Sequence, residues 1–138
     1  VGSFTSVGPY LREAETRNIL LYNLRREANA TKGDLMSQTS NYAFYSNPVE
    51  GRDDEYNNWY DKVHLPELLA MFPQIKSAKR YSAPDDSASV HRYLTIYEIE
   101  GDLNTTVEAI DIAAAAGKLQ LSDAIDVEGS KRELWLGR

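Results

Sequence analysis

At 138 residues, with 42% apolar side chains and no cysteine, the chain has the size of one domain that buries its own core. It cannot build a disulfide framework, a thiolate metal site or a thiol nucleophile. Its 21 acidic residues against 15 basic ones, a net charge of -6, and the lack of a Lys/Arg block argue against a nucleic-acid phosphate partner. No stretch approaches 18 uninterrupted apolar residues and residues 1–10 lack a basic-then-apolar leader, so neither a membrane span nor a signal peptide is expected and a cytoplasmic location is the default.

The first 35 residues carry five bases and four acids, so the acidity lies wholly in the remainder. Within 9–30, Leu11, Ala14, Ile19, Leu20, Leu24 and Ala28 fall loosely at helical spacing, while 18–24 reads equally as a strand; helix is the preferred reading. Residues 29–38 form a polar connector, and Met36 reads as a native start. Residues 1–35 are therefore expected to be an N-terminal extension, native or introduced, and 36–138 the domain. The Asn-X-Thr sequons at Asn29 and Asn104 carry no weight without a secretory context.

Tyr42, Ala43, Phe44 and Tyr45, bounded by Asn47-Pro48 and Gly51, read as a first strand. Asp53 is placed to cap the helix that follows; its first turn is acidic, and Tyr56, Trp59, Tyr60 and Val63 recur at i, i+3, i+4, i+7 as a core stripe. Pro66 lacks a backbone donor, which predicts a break or restart around His64 and Leu65 and puts His64 at a helix end. A short apolar turn over 68–72 closes at Pro73. Two strands, 75–81 and 91–100, flank the turn-rich 83–87 and should pair antiparallel. Thr105 and Glu108 form a capping box for a second helix with the apolar face Val107, Ile110, Ala113 and Ala114, ended by Gly117. Residues 119–128 read as a loop with a short helical turn, and 133–136 as the last strand.

The order is β-α-β twice over, without a detectable sequence repeat. It predicts an α+β, ferredoxin-like βαββαβ sandwich with a four-stranded antiparallel sheet. Along the third strand Tyr93, Thr95, Tyr97 and Ile99 point one way, Leu94 and Ile96 the other, so neither sheet face is simply polar. The preferred cover for the second face is a twin subunit in a closed two-fold dimer; the alternative is the leader segment.

The run from Asp54 to Leu69, with its Trp59-Tyr60 pair and His64-Leu65-Pro66 step, resembles the helix-one signature of EthD-like proteins in the dimeric α/β-barrel superfamily. Ala78 to Tyr81 and Tyr93 to Glu100 resemble their second and third strands, so the likeness spans 41–138. Met71-Phe72-Pro73-Gln74 departs from it, since relatives commonly have a Pro-Gly turn there. The resemblance implies a homodimer whose sheets pack face to face into a barrel, with a small pocket between helices and sheet. The wider superfamily includes cofactor-free polyketide cyclases, dehydratases, lactone isomerases, quinone-forming monooxygenases and haem-handling enzymes, and many EthD-like members have no assigned reaction.

Histidine titrates nearest neutrality, so a pocket-facing His64 would exchange a proton with an enolisable or phenolic substrate; its structural alternative is to tie off carbonyls at the helix end. At that end the helix dipole favours the protonated ring and an acid role. Tyr60, one turn earlier, and Asp61, three residues earlier, are its candidate partners, and Tyr60 is preferred because it lies on the apolar stripe. Tyr97 is the first choice among strand tyrosines to polarise a substrate oxygen; Tyr45, Tyr81, Tyr93 and Trp59 are candidate binding residues. Nine tyrosines against three phenylalanines suit a flat, oxygen-bearing ligand, though they suit a dimer interface as well. His91, beside Arg92, reads as structural, and two histidines so far apart make a poor metal site. No nucleotide-binding or serine-hydrolase motif is present. The expected function is a cofactor-free and metal-free enzyme acting by acid/base chemistry (cyclisation, dehydration or isomerisation) on a small apolar cyclic or polyketide-like metabolite, with His64, Tyr60 and Tyr97 catalytic. The rivals are a non-catalytic small-molecule-binding accessory protein and a monooxygenase, cofactor-free or haem-dependent.

Overall fold

Alternating aromatic and polar residues make Thr39–Ser46 a strand, β1, whose Ser40, Tyr42, Phe44 and Ser46 are buried on one face. In this computed structural model, which describes residues 38–138, β1 is followed by a helical run, the hairpin β2 (Ile75–Ser82) and β3 (Tyr93–Glu100), a second helix and β4 (Lys131–Trp135). The sheet order is β2-β3-β1-β4 and every pairing is antiparallel. Both helical runs follow a strand and return to the sheet, which is the ferredoxin-like βαββαβ topology. The boundary expected at Met36 and both readings of 9–30 lie outside the described residues.

The first helical run departs from expectation at its centre. Helix α1 (Asp53–Trp59) continues without a break into a π-helical turn (Tyr60–His64) and then α2 (Leu65–Met71). The Leu65 N–H bonds to the Tyr60 carbonyl five residues back, and Pro66 falls in the first turn of α2, where its missing donor costs little. His64 is thus mid-helix, not at a helix end. Phe72 turns extended (ψ 95) ahead of Pro73, which closes α2 as anticipated.

Two capping assignments are corrected. Arg52, not Asp53, occupies the N-cap of α1, and the Asp53 carboxylate instead meets Arg92 at 2.8 Å. Helix α3 (Leu103–Ala115) begins one turn before the expected box: Asp102 caps it by accepting the Thr105 N–H at 3.0 Å. Gly117, at φ 74, does end it, taking a conformation that side chains disfavour. Residues 119–128 form turns and a single bridge, Pro48 to Ile125, rather than a helical turn.

The helices cover one sheet face, and the core lies between: Tyr42, Phe44, Tyr97 and Ile99 from strands against Tyr56, Tyr60, Leu68, Leu103, Val107 and Ile110 from helices. On the opposite face the register aligns Tyr81, Leu94, Tyr45 and Lys131 in one row and Lys79, Ile96, Ala43 and Glu133 in the next. This face is half apolar, with Tyr81 and Trp135 exposed. Among the described residues no helix is long and apolar enough to cross a membrane.

Candidate functional site

In an α-helix a residue lies beneath its neighbour four positions back; the wider π turn moves that relation to five. The widening puts His64 under Trp59 instead of Tyr60: the imidazole stacks on the indole at 4.4 Å and 21°, and meets Tyr60 only edge-on, at 5.2 Å and 87°. Trp59 is itself fixed by its indole N–H, which donates to the Gln120 carbonyl at 2.7 Å.

His64 is 7% exposed, and its Nδ1 has no hydrogen-bond partner among the described residues. Burial among aromatic and aliphatic groups pushes its pKa down to about 4. The ring is therefore neutral at pH 7, the reverse of the protonated, acid-favouring state expected of a helix end. A buried polar atom without a partner is costly, and such atoms, like π turns, concentrate at functional sites.

His64 opens on a cleft between helices and sheet lined by Tyr42, Phe44, Leu68, Tyr97, Ile110, Asp111 and Leu119. Its free space is about 20 Å³, room for one water molecule. Among the described residues the one carboxylate in the lining is Asp111, 1% exposed, from α3. Arg132 of β4 donates to both its oxygens, at 2.8 and 3.3 Å, and lies 5.6 Å over the Tyr42 ring. Tyr42 in turn stacks on Tyr97 at 5.3 Å. An ion pair this buried seldom stabilises more than an apolar pair would, so its place in the wall of an apolar cleft points to the site.

Of the residues singled out from sequence, the structure brings His64 and Tyr97 together in this cleft, with Trp59 behind the imidazole. Tyr60 is fully buried and packs instead with Tyr56 and Tyr93 around the Arg80 guanidinium, which lies 4.5, 5.4 and 5.2 Å from the three rings. Arg80 also donates to Asn57 at 2.8 Å and to Asp61 at 2.9 Å, so Asp61 faces Arg80 and not His64. Tyr45, Tyr81 and Tyr93 line a separate hollow of about 180 Å³ with His91 and Arg92, at the loop end of the sheet. There the His91 ring meets Tyr45 tilted, at 5.7 Å and 47°, and its Nε2 lies 2.7 Å from the Gly129 carbonyl. Among the described residues no three acidic or imidazole side chains converge as a metal site requires.

No family model matches the chain, and no curated protein matches it. Two solved structures are similar to it. One is a dimeric ferredoxin-like protein of unknown function from Thermobifida fusca YX: 10% identity, TM-score 0.48, covering 74% of this chain and 93% of that one. The other is an EthD family protein from Bacillus halodurans C-125: 13% identity, TM-score 0.38, covering 73% and 97%. Similarity of this kind concerns the fold and leaves the chemistry to the residues.

Asp111 and Arg132 escaped the sequence reading, although a signal existed. Asp111 occupies the i+4 position of the stripe Val107, Ile110, Ala114, where a charge has no business unless it is paired. Arg132 pairs in register with Phe44 on the helix-facing side of the sheet, but nothing in the sequence marks the two as partners.

Proposed function

We propose that the protein is a cofactor-free enzyme that moves a proton on a small, largely apolar cyclic or polyketide-like molecule, with His64 as the base. The observation that carries this reading is the buried imidazole in the wall of an apolar cleft, its Nδ1 without a hydrogen-bond partner among the described residues. With a pKa of about 4 the ring is fully available as a base at neutral pH. It is a weak base, so it serves only a substrate whose proton is already acidic, a C–H between two carbonyls or an electron-poor phenol. The imidazolium and the enolate formed together hold one another in a site with little water, and a strong conjugate acid returns its proton readily to another carbon or oxygen. That sequence is an isomerisation, or the first half of a dehydration or cyclisation. Tyr97 and Tyr42 stand along the path of a flat ring, and Asp111, its charge balanced by Arg132, offers an acceptor to a hydroxyl at the far end. We place a second copy of the chain against the half-apolar outer sheet face, which supports a homodimer.

Deuterium wash-in tests the base directly. A panel of cyclic enolisable ketones and phenols is incubated in D2O, and NMR follows exchange at the activated carbon. The expected result is catalysed exchange of at least one compound by the native chain and its loss in His64→Gln, with an acid limb of kcat/KM near pH 4 rather than 6.5. A compound that binds unchanged through long incubation identifies a binding protein, and exchange that survives His64→Gln removes the base.

A further inference from the structure

A cleft with room for one water admits no organic substrate, yet the partition that closes it is thin. Leu119 lines the cleft. Two residues on, Leu121, Ser122 and Asp123 line an open groove on the other side, together with Trp59, Val63, Asn58 and Glu55. The strip 117–123 therefore runs between the cleft that His64 lines and the outer groove.

Its attachments are unusual. Lys118 donates to the Ala113 carbonyl at one end, and Ala124 accepts from the Val49 N–H at the other; among the described residues no backbone group from 119 to 123 bonds another backbone group. Side chains hold the strip instead. Both backbone groups of Gln120 are taken by the helix that carries the base: its carbonyl by the Trp59 indole N–H at 2.7 Å, its N–H by the Glu67 carboxylate at 2.8 Å. Arg52 forms a third tie, 2.7 Å from Asp123 and 2.6 Å from Glu55. Gly117 provides a pivot at φ 74 with no atom within 4 Å of where a Cβ would stand. A segment held by a few side-chain bonds and no backbone ladder opens more cheaply than the sheet or helices around it, although Leu119, 6% exposed, must leave the core.

We propose that residues 117–123 are a gate over His64, latched at Gln120 by Trp59 and Glu67 and at Asp123 by Arg52, and that its opening joins the cleft to the outer groove to admit substrate. The proposal rests on His64 being the reactive base. Trp59 gives the latch its logic, since one indole both stacks on the imidazole and holds the strip closed. Swinging the strip out removes Leu119 from the cleft and bares the imidazole without disturbing the sheet.

Carbethoxylation of the imidazole by diethyl pyrocarbonate reads the gate without any substrate. With His91→Gln as background, His64 is the only histidine left. It should react slowly in the latched chain, and faster by about ten-fold or more in Arg52→Ala/Glu67→Ala, the effect of losing charge-assisted hydrogen bonds, with an unchanged far-UV spectrum. Glu67→Gln keeps an acceptor but no charge, is the variant least able to disturb folding, and should fall between. Equal reactivity of native, Glu67→Gln and double-variant chains overturns the gate. Faster modification without deuterium wash-in on any compound overturns the base and leaves the gate standing; wash-in with unchanged reactivity does the opposite.

Discussion

Each side of the sheet carries a histidine among tyrosines, and the two surroundings make different molecules of the same side chain. On the helix side His64 is buried between Trp59 and the Tyr42–Tyr97 stack, with Nδ1 unpartnered among the described residues. On the loop side His91 leans on Tyr45 and bonds the Gly129 carbonyl. The first hollow is narrow and holds a buried ion pair in its wall; the second is roomier, and its lining Arg92 pairs with Asp53 at 2.8 Å near the surface. An imidazole with its hydrogen bonds met is a strut, whereas one deprived of water and of a partner is poised to take a proton.

The comparison breaks most visibly at the ion pairs. Asp111→Ala should cost about 3–5 kcal/mol in urea unfolding because it strands the Arg132 charge in the core, while Asp111→Leu with Arg132→Met should recover most of that loss. A small loss in Asp111→Ala would mean that water reaches the pair. The next effect is in pH. His64 has a folded pKa below its unfolded one, so the unfolded chain binds more protons between about 6.5 and 4 and stability rises with pH across that window. Full above pH 6.5, it should fall by about 3 kcal/mol on descent toward pH 4, and His64→Gln should flatten the upper half of the window, from 6.5 to 5, where few carboxylates titrate.

Activity sharpens the same contrast. His64→Gln should lower turnover about 100-fold or more with little change in Tm, against a few-fold at most for His91→Gln. Equal losses of folding and activity in His64→Gln would make it a structural residue. The smallest effect belongs to the outer face: Tyr45 donates to Glu133 at 2.9 Å in a solvated setting, so Tyr45→Phe should change stability by about 1 kcal/mol or less. A larger change in Tm that depends on protein concentration would show that this face is covered by a second copy.

Most of the architecture was legible along the chain. The alternation in β1 and β3, the turn between β2 and β3 and the apolar stripe of α3 are local patterns with one solution each, and they lead directly to the ferredoxin-like order. The helix ends were less so, since Asp102 competes with Thr105 for the cap and only packing chooses. At the site, His64 and Tyr97 could be picked out by residue type and face. The tyrosines could not be sorted, because Tyr60 and Tyr93 are drawn away by Arg80, which lies on a strand twenty residues beyond Tyr60.

Local sequence determined which residues are strand and helix, where α2 and α3 stop, and that an imidazole sits two residues before a proline, because backbone donors and hydrophobic periodicity act over a few residues. The tertiary structure alone decided that the helix widens rather than breaks at Pro66, that His64 turns under Trp59, and that Asp111 finds Arg132. Those outcomes depend on water being excluded by segments distant in the chain. Desolvation, which sets the imidazole's charge and makes an ion pair compulsory, is a property of the packed whole.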